Sequence, residues 1–255
     1  MSTVTLEKTN NIARVTLNKP PLNVMDIAMM EELDAALKSL KGDRASKVIV
    51  IAAAGKAFSA GVDVADHTKE RVDEMIKKFD NIFRTLWSLE QPTVAAVQGM
   101  ALGGGCEVAI GCDFVVASEK AKFGQPEIKV GVFPPVAALV LPRIIGRKKA
   151  FEWVLTGETF DAREAERIGL VNVVAPPESF DAAVNAFVGK LTALSGVVLR
   201  LAKRATRIGL DQGADAAFAE IERLYLRDLM QAADAAEGLA AFLEKRAPER
   251  VTSDR

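Results

Sequence analysis

The stretch QGMALGGGCEVAIGCD, residues 98–113, decides the fold of this chain. It follows a strand-like run over residues 93–97, places three consecutive glycines at residues 103–105 and continues into a helix-forming sequence. Glycine lacks a Cβ atom, so a ligand can approach the main-chain N–H groups closely, and the start of a helix directs free donors and a positive dipole end outward. The stretch therefore predicts a backbone site for a developing oxyanion.

The same glycines do not fit a nucleotide-binding fingerprint. After Gly103 and Gly105, the GxGxxG pattern needs a third glycine where Val108 stands, and no Gly-Lys-Ser/Thr sequence follows. Nucleotide phosphates are therefore disfavoured as ligands of this segment.

Two glutamates are the candidate acid and base. Glu107 falls three or four residues into the predicted helix, and Glu127 follows Pro126 in FGQPEIKVGVFPP, residues 123–135. Taken alone, Glu107 fits a first helical turn, where a carboxylate interacts favourably with the dipole, and Glu127 fits the cap of a short turn. Two carboxylates beside an oxyanion site, however, are what acid/base addition to an activated alkene requires.

An upstream turn offers further main-chain donors to the same ligand. It lies in AAGKAFSAGVD, residues 53–63. Ser59 stands in a sequence close to the GxSxG nucleophile elbow, but the first glycine position is Ala57 and the only histidine, His67, lies soon after the serine rather than last in the chain. A serine hydrolase is therefore a weak alternative.

The remaining pattern predicts an α/β core. Asp26 can cap a helix that runs to about Leu40, and a second helix covers about residues 70–88. Because such helices alternate with the strands, the strands are expected to be largely parallel within their sheets. The strand-like runs are residues 4–7, 14–17, 47–52, 93–97, 114–117 and 171–174.

The last part of the chain predicts helices alone. Isolated helices cannot bury their apolar faces, so this region must pack on the core or on another subunit, and we expect an oligomer. We divide the chain into a core of residues 1–195 that binds the substrate and a helical oligomerisation region of residues 196–255. The predicted helices from residue 179 onward cover residues 180–194, 197–208, 214–229 and 233–245.

Composition excludes several classes of function. The chain has 255 residues, 33 Lys and Arg against 34 Asp and Glu, one His and two Cys. A net charge of −1 gives no basic field for nucleic acid, and one histidine with two cysteines cannot build a common zinc site, so we expect no metal. We expect Cys106 and Cys112 to be reduced and buried. Since no run of about 20 apolar residues and no signal sequence is evident, we expect no membrane span and a cytoplasmic location.

Five segments, taken together and in order, identify a family. They extend over nearly the whole chain, which makes them far more specific than one glycine cluster. The segments are KAFSAGVD (56–63), GMALGGGCEVAIGCD (99–113), FGQPEIKVG (123–131), LTGETFDAREAERIGLVNVV (155–174) and GLAAFLEKRAPE (238–249). Together they resemble the crotonase, or enoyl-CoA hydratase/isomerase, family.

The resemblance implies a spiral of ββα units with a C-terminal helical trimerisation region, assembled as a homotrimer or a dimer of trimers. It implies an acyl-CoA thioester substrate and no cofactor, because coenzyme A is part of the substrate. The thioester oxygen is expected on the backbone amides of Val62 and Gly104. The residues expected along coenzyme A are Lys56, Ala60, Phe242 and Lys245.

Retention of both glutamates favours a hydratase, because other branches of the family commonly lack one. By this resemblance Glu107 is the base that activates water and Glu127 the proton donor. Three alternatives remain: hydration of a straight-chain 2-enoyl-CoA, isomerisation of the alkene, and a non-catalytic binding paralogue, including one that binds RNA.

Three further segments resemble a narrower group, the cyclohexa-1,5-diene-1-carbonyl-CoA hydratases, which form the 6-hydroxycyclohex-1-ene-1-carbonyl thioester. His67 and Phe133, which lie in two of these segments, are candidate residues of the substrate pocket. The segments are PLNVMDIAMMEEL (21–33), GVDVADHTKE (61–70) and VGVFPPVAALVLPRIIGRKKA (130–150).

Overall fold

Nine β-strands form two sheets within residues 2–249, the part of the chain that the computed structural model describes. The strands are β1 (Val4–Thr9), β2 (Ile12–Leu17), β3 (Val48–Ala53), β4 (Thr93–Val97), β5 (Met100–Leu102), β6 (Phe114–Ser118), β7 (Lys122–Gly124), β8 (Thr159–Asp161) and β9 (Val173–Ala175). The larger sheet has the order β1-β2-β3-β4-β6-β9, and the smaller sheet has the order β5-β7-β8. Apart from the antiparallel pair β1–β2, the pairs of the larger sheet are parallel, as expected.

The six predicted strands are confirmed, with bounds that shift by a few residues at most. The three strands of the smaller sheet were not predicted. Each has three residues, which is too short to show an alternating apolar pattern.

Ten α-helices accompany the strands within the described residues. The side chain of Asp26 accepts a hydrogen bond from the Met29 N–H at 2.9 Å, so the predicted cap of the first helix is confirmed. The predicted C-terminal helices are also confirmed. The helices are α1 (Ile27–Lys38), α2 (Val72–Ser88), α3 (Gly104–Gly111), α4 (Pro135–Ile144), α5 (Gly146–Thr156), α6 (Ala162–Arg167), α7 (Phe180–Thr192), α8 (Gly196–Asp211), α9 (Ala214–Leu224) and α10 (Ala233–Glu244).

Strand, strand and helix repeat along the core. The chain runs through β4, β5 and α3, then through β6, β7 and α4, so that each turn adds a strand to each sheet. The preceding turn uses β3, a bridge from Ser59 to Ala101 at the smaller sheet, and α2. This is the spiral of ββα units that the resemblance implies, and it brings the ends of successive turns together.

The larger sheet is covered on both faces. One face packs with α1, α2 and α3 into the main core, where all eight residues of α3 are buried. On the other face, apolar side chains of β3, β4 and β6 pack against Phe180, Val184 and Val188 of α7. Burial on both faces explains why these strands read as continuous apolar runs.

The C-terminal helices attach to the core through cations of α8. The Lys203 ammonium lies 2.6 Å from a carboxylate oxygen of Asp113 and donates to the Gln91 carbonyl at 2.8 Å, and Arg207 donates to the Trp87 carbonyl. A small apolar cluster of Ile208 with two α9 side chains joins the helices to one another. The division at residue 196 coincides with the start of α8 and stays a prediction, and residues 250–255 of the predicted region lie outside the described residues.

Cys106 and Cys112 are free and buried, as predicted. Burial in apolar surroundings raises the pKa of both thiols far above their usual value. They are therefore protonated packing groups rather than nucleophiles.

No single helix among the described residues has the length and apolar character needed to cross a membrane. The segments Pro177–Thr192 and Gly196–Asp211 meet these criteria only as a pair, bent by 95°. The cytoplasmic location stays a prediction.

Candidate active site

Three segments from successive turns of the spiral meet at Gly103. The main chain of Gly103 has φ of +51°, and a Cβ atom built there would lie 2.6 Å from Oε1 of Glu127. A Cβ on Gly104 would lie 2.7 Å from Cγ2 of Val62. Glycine is required at the start of α3 because the loop that carries Val62 and the side chain of Glu127 approach its main chain closely. A side chain at Gly103 or Gly104 would collide with them.

Two main-chain donors, the N–H groups of Val62 and Gly104, lie on segments that approach each other closely. Gly104 is the first residue of α3, so its N–H has no partner within the helix, and the Val62 N–H points away from its bridge with Met25. Neither N–H has a hydrogen-bond partner among residues 2–249. A Cβ on Gly61, next to Val62, would lie 3.6 Å from the Gly104 nitrogen, which shows how closely the two segments approach. The two predicted oxyanion donors therefore lie on segments that approach closely, and their role toward a thioester oxygen stays a prediction.

Glu107 projects from the first turn of α3 into a buried environment. Its side chain is 2% exposed, and Oε1 accepts a hydrogen bond from the Ala137 N–H at 2.8 Å. This donor lies in the first turn of α4, where Pro135 contributes no N–H. Burial raises the pKa of Glu107 to about 8, although the hydrogen bond from Ala137 lowers it, and the charge of Glu127 raises it further.

Glu127 follows β7 in a short 3-10 helix and is half-buried. In the amide orientation that pairs donors with acceptors, the Gln125 nitrogen donates to both carboxylate oxygens of Glu127 at 3.2 Å. Gln125 itself is fully buried. Burial raises the pKa of Glu127 to about 7. The structure thus places two carboxyl groups with raised pKa values around Gly103, close enough for one charge to affect the other.

The loop that carries Val62 is held from three sides. Met25 N–H donates to the Gly61 carbonyl and Asp63 N–H donates to the Met25 carbonyl, both at 2.9 Å. The buried Ser59 hydroxyl donates to the Asn23 carbonyl at 2.7 Å and accepts from the Gly61 N–H at 3.1 Å. Because this hydroxyl is hydrogen-bonded to the backbone on both sides, it stabilises the loop and is not free to act as a nucleophile. The structure therefore does not support a serine hydrolase.

The other predicted residues lie on the Val62 loop, in the short 3-10 helix after it and in the segment before α4. Lys56 is exposed and Ala60 half-buried on the same loop as Val62. His67 ends a short 3-10 helix, and its Nδ1 atom lies 3.1 Å from the Asp63 carbonyl oxygen. Phe133 is 67% exposed between Glu127 and α4. Their pocket and coenzyme A roles stay predictions.

Phe242 and Lys245 lie at the end of α10. Phe242 is 82% exposed, and Lys245 adopts φ of +55° as the helix ends. Lys245 is also exposed, and its side chain has no hydrogen bond or ion pair among residues 2–249. Their predicted role toward coenzyme A stays a prediction.

Sequence reasoning missed two groups that support the glutamates. Gln125 stands two residues before Glu127 in a segment already singled out, so a polar side chain at that spacing was an available signal. The Ala137 N–H is a main-chain donor, and no side-chain pattern indicates it. Pro134 and Pro135 are residues that can begin a helix, but they do not indicate which carboxylate that helix would face.

Comparisons with known proteins show the family of this chain. The chain matches the family described as enoyl-CoA hydratase/isomerase over residues 7–251. It is 41% identical to a probable enoyl-CoA hydratase of Rhizobium meliloti over 97% of each chain, and 37% identical to a cyclohexa-1,5-dienecarbonyl-CoA hydratase of Thauera aromatica over 95% of this chain and 94% of that one.

A solved structure shows the same fold. The crystal structure of an enoyl-CoA hydratase of Mycobacterium smegmatis superposes with a TM-score of 0.92 at 32% identity, over 97% of this chain and 98% of that one. With the spiral of ββα units and the family match over nearly the whole length, the resemblance seen in the sequence is confirmed. The chain belongs to the enoyl-CoA hydratase/isomerase, or crotonase, family.

Proposed function

We propose that this chain is a hydratase that adds water to the conjugated double bond of an acyl-CoA thioester. The observation that carries the proposal is the pairing of Glu107 and Glu127 beside the N–H groups of Val62 and Gly104. Related proteins named as enoyl-CoA hydratases support the same reaction.

The proposed reaction follows from the carboxyl groups and the main-chain N–H groups of the site. One ionised carboxylate removes a proton from water as its oxygen bonds to the β carbon, and the electrons move to the thioester oxygen. The Val62 and Gly104 N–H groups stabilise that enolate, and loss of one such donor costs on the order of 3–4 kcal/mol of activation free energy. The second carboxyl group, protonated, then delivers its proton to carbon, so that all the atoms of water are added.

The raised pKa values of the two glutamates suit a mechanism in which one carboxyl group is the base and the other the acid. With values of about 8 and about 7, one carboxyl group is protonated and the other ionised near neutral pH. Because burial favours the protonated form of Glu107, its predicted role as base requires the proton to reside on Glu127 when substrate is bound. We keep that assignment as part of the proposal.

We further propose that the acyl group is cyclohexa-1,5-diene-1-carbonyl. The support is the likeness to the Thauera aromatica hydratase, together with the segment that runs from Glu127 through Phe133 to α4. Phe133 follows Glu127 in this segment, and its exposed aromatic ring suits a planar, apolar acyl group. In forming the 6-hydroxycyclohex-1-ene product, the hydroxyl joins the β carbon and the proton joins the far end of the diene.

A straight-chain 2-enoyl-CoA is the second candidate. It is favoured by the 41% identity to the Rhizobium meliloti protein, and by likeness to a crotonyl-CoA hydratase of Syntrophomonas wolfei at 35% identity. The same glutamates and amides serve either substrate, so the choice depends on the shape of the acyl pocket.

We also infer a homotrimer or a dimer of trimers. The support is a set of exposed apolar side chains on the last helices, including Phe218, Phe242 and Leu243, which are 73–82% exposed. Apolar side chains grouped on one region mark a surface that another subunit covers. We expect sedimentation equilibrium to give a molar mass three or six times that of the monomer. A monomer mass at micromolar concentration would contradict the inference.

Replacing either glutamate removes proton transfer without changing shape. We expect Glu107→Gln and Glu127→Gln each to lower kcat by about 10²–10⁴-fold, because the contribution of one positioned acid or base lies in that range. The measurement is the loss of ultraviolet absorbance of the conjugated thioester. Glu178→Gln, at an exposed position, is the matched control and keeps full activity. Full hydration activity in both site variants would contradict the roles given to the glutamates, and no hydration by the unaltered chain would favour the non-catalytic paralogue.

The two substrate candidates are separated by direct comparison. We expect kcat/KM for cyclohexa-1,5-diene-1-carbonyl-CoA to exceed that for crotonyl-CoA by at least tenfold in the same buffer. Both reactions are run in ¹⁸O-labelled water, and mass spectrometry of the product records one labelled oxygen. Faster turnover of crotonyl-CoA would refute the assignment of a cyclic diene as substrate. A product without labelled oxygen would show that the reaction is isomerisation and not hydration.

A further inference from the structure

A buried carboxylate, Asp66, follows Val62 closely along the chain, and no step of the proposed reaction uses it. Asp66 is 2% exposed. One of its carboxylate oxygens accepts a hydrogen bond from the Ile27 N–H at 3.0 Å, and the other lies 2.9 Å from the Arg71 guanidinium. Burying an ionised carboxylate is costly unless donors reach it, so these two partners decide where Asp66 can lie.

The direction of the Val62 N–H is set by the peptide bond that joins Gly61 to Val62. This peptide is planar and trans, so its C=O and N–H point in opposite directions. The Gly61 carbonyl accepts from the Met25 N–H at 2.9 Å, and the Val62 N–H therefore points away from Met25. The position of Met25 relative to the loop thus fixes the direction of this donor.

The loop and the segment that leads into α1 are joined at two points. The Asp63 N–H donates to the Met25 carbonyl at 2.9 Å, which joins them at one end. Asp66 and Ile27 join them again further along both segments. The Asp66 N–H also donates to the Asp63 carbonyl at 3.1 Å, so the two attachment points on the loop are bonded to each other. Because two attachments prevent a rotation that one would allow, Asp66 keeps Met25 in place against the loop.

Capping of α1 does not by itself account for Asp66. Asp26 already caps this helix, because its side chain accepts from the Met29 N–H at 2.9 Å and its carbonyl accepts from the Met30 N–H at 3.0 Å. The Ile27 N–H is bound instead by a carboxylate 39 residues away in the chain. The contact therefore joins α1 to the loop of the candidate oxyanion donor.

We propose that Asp66 is a positioning residue, which holds the loop so that the Val62 N–H reaches the thioester oxygen of the substrate. It acts through Ile27 and Met25 and contributes no reacting group. This inference rests on the proposed function, because it requires the Val62 N–H to bind that oxygen. A misplacement of about 1 Å can cost on the order of 10²-fold in rate, so a loosened loop lowers catalysis with every reacting group still present.

The test uses the full chain and 4-dimethylaminocinnamoyl-CoA, a conjugated thioester that absorbs at longer wavelength when donors polarise its thioester oxygen. We expect Asp66→Ala to reduce the wavelength shift seen with the wild type by at least half. We also expect it to lower kcat for hydration of the preferred enoyl-CoA at least tenfold, while KM changes less than threefold. Asp66→Asn keeps an acceptor for the Ile27 N–H and should restore the shift and kcat to within threefold of the wild type. Arg71→Gln removes only the ion pair and should do the same.

Asp34→Ala is the matched control. Asp34 is also a buried carboxylate with two partners, since it accepts from the Thr85 hydroxyl at 2.5 Å and lies 2.6 Å from the Lys38 ammonium. It joins α1 to α2 and has no contact of this kind with the loop. Asp34→Ala should keep the wild-type shift and kcat. Thermal unfolding of both alanine variants is measured, and spectra and rates are recorded below both midpoints.

A wild-type shift and kcat in Asp66→Ala would overturn the inference. The same loss in Asp34→Ala would also overturn it, because the effect would then be one of stability alone. An equal loss in Asp66→Asn or in Arg71→Gln would place the effect in the ion pair and overturn the path through Ile27. A wild-type chain that binds the chromophoric thioester without any shift would contradict the proposed function itself, and this inference with it.

Discussion

The burial of two carboxyl groups around one glycine is the constraint on which the rest of this structure depends. Glu107 is almost fully enclosed and Glu127 half-enclosed, and both pKa values are raised into the range where the pair can hold one proton at neutral pH. An ionised carboxylate in such surroundings is costly unless donors reach it. The Ala137 N–H and the Gln125 amide are those donors, and they also fix the direction of each carboxylate.

The fold provides this arrangement by repetition. Each turn of the spiral ends near the same place, so the Val62 loop, the start of α3 and the segment carrying Glu127 come from successive turns and meet at residues 103–105. The absence of Cβ atoms there is what allows the contact. The Val62 and Gly104 N–H groups, which have no hydrogen-bond partner among residues 2–249, and the two glutamates lie on these three segments. Groups of these two kinds, held together, are what stabilising an enolate while protons are moved requires.

Much of this could be predicted from sequence, because the informative residues are local. The apolar runs predicted the six strands of the larger sheet, and Asp26 predicted the start of a helix. The glycines with Glu107 and Glu127 indicated the candidate site. The smaller sheet could not be predicted because its strands have three residues each. The hydrogen bond from the Ala137 N–H to Glu107 could not be predicted because a main-chain donor leaves no pattern of side chains.

The central claim is that the enclosed pair works with one carboxyl group ionised and the other protonated. The dependence of kcat/KM for hydration on pH tests it most directly. Below about pH 7 both groups are protonated and no base remains, and above about pH 8 both are ionised and no acid remains. The profile is therefore expected to be bell-shaped, with its maximum between pH 7 and pH 8. A rate that stays constant from pH 5 to pH 9 would contradict the claim.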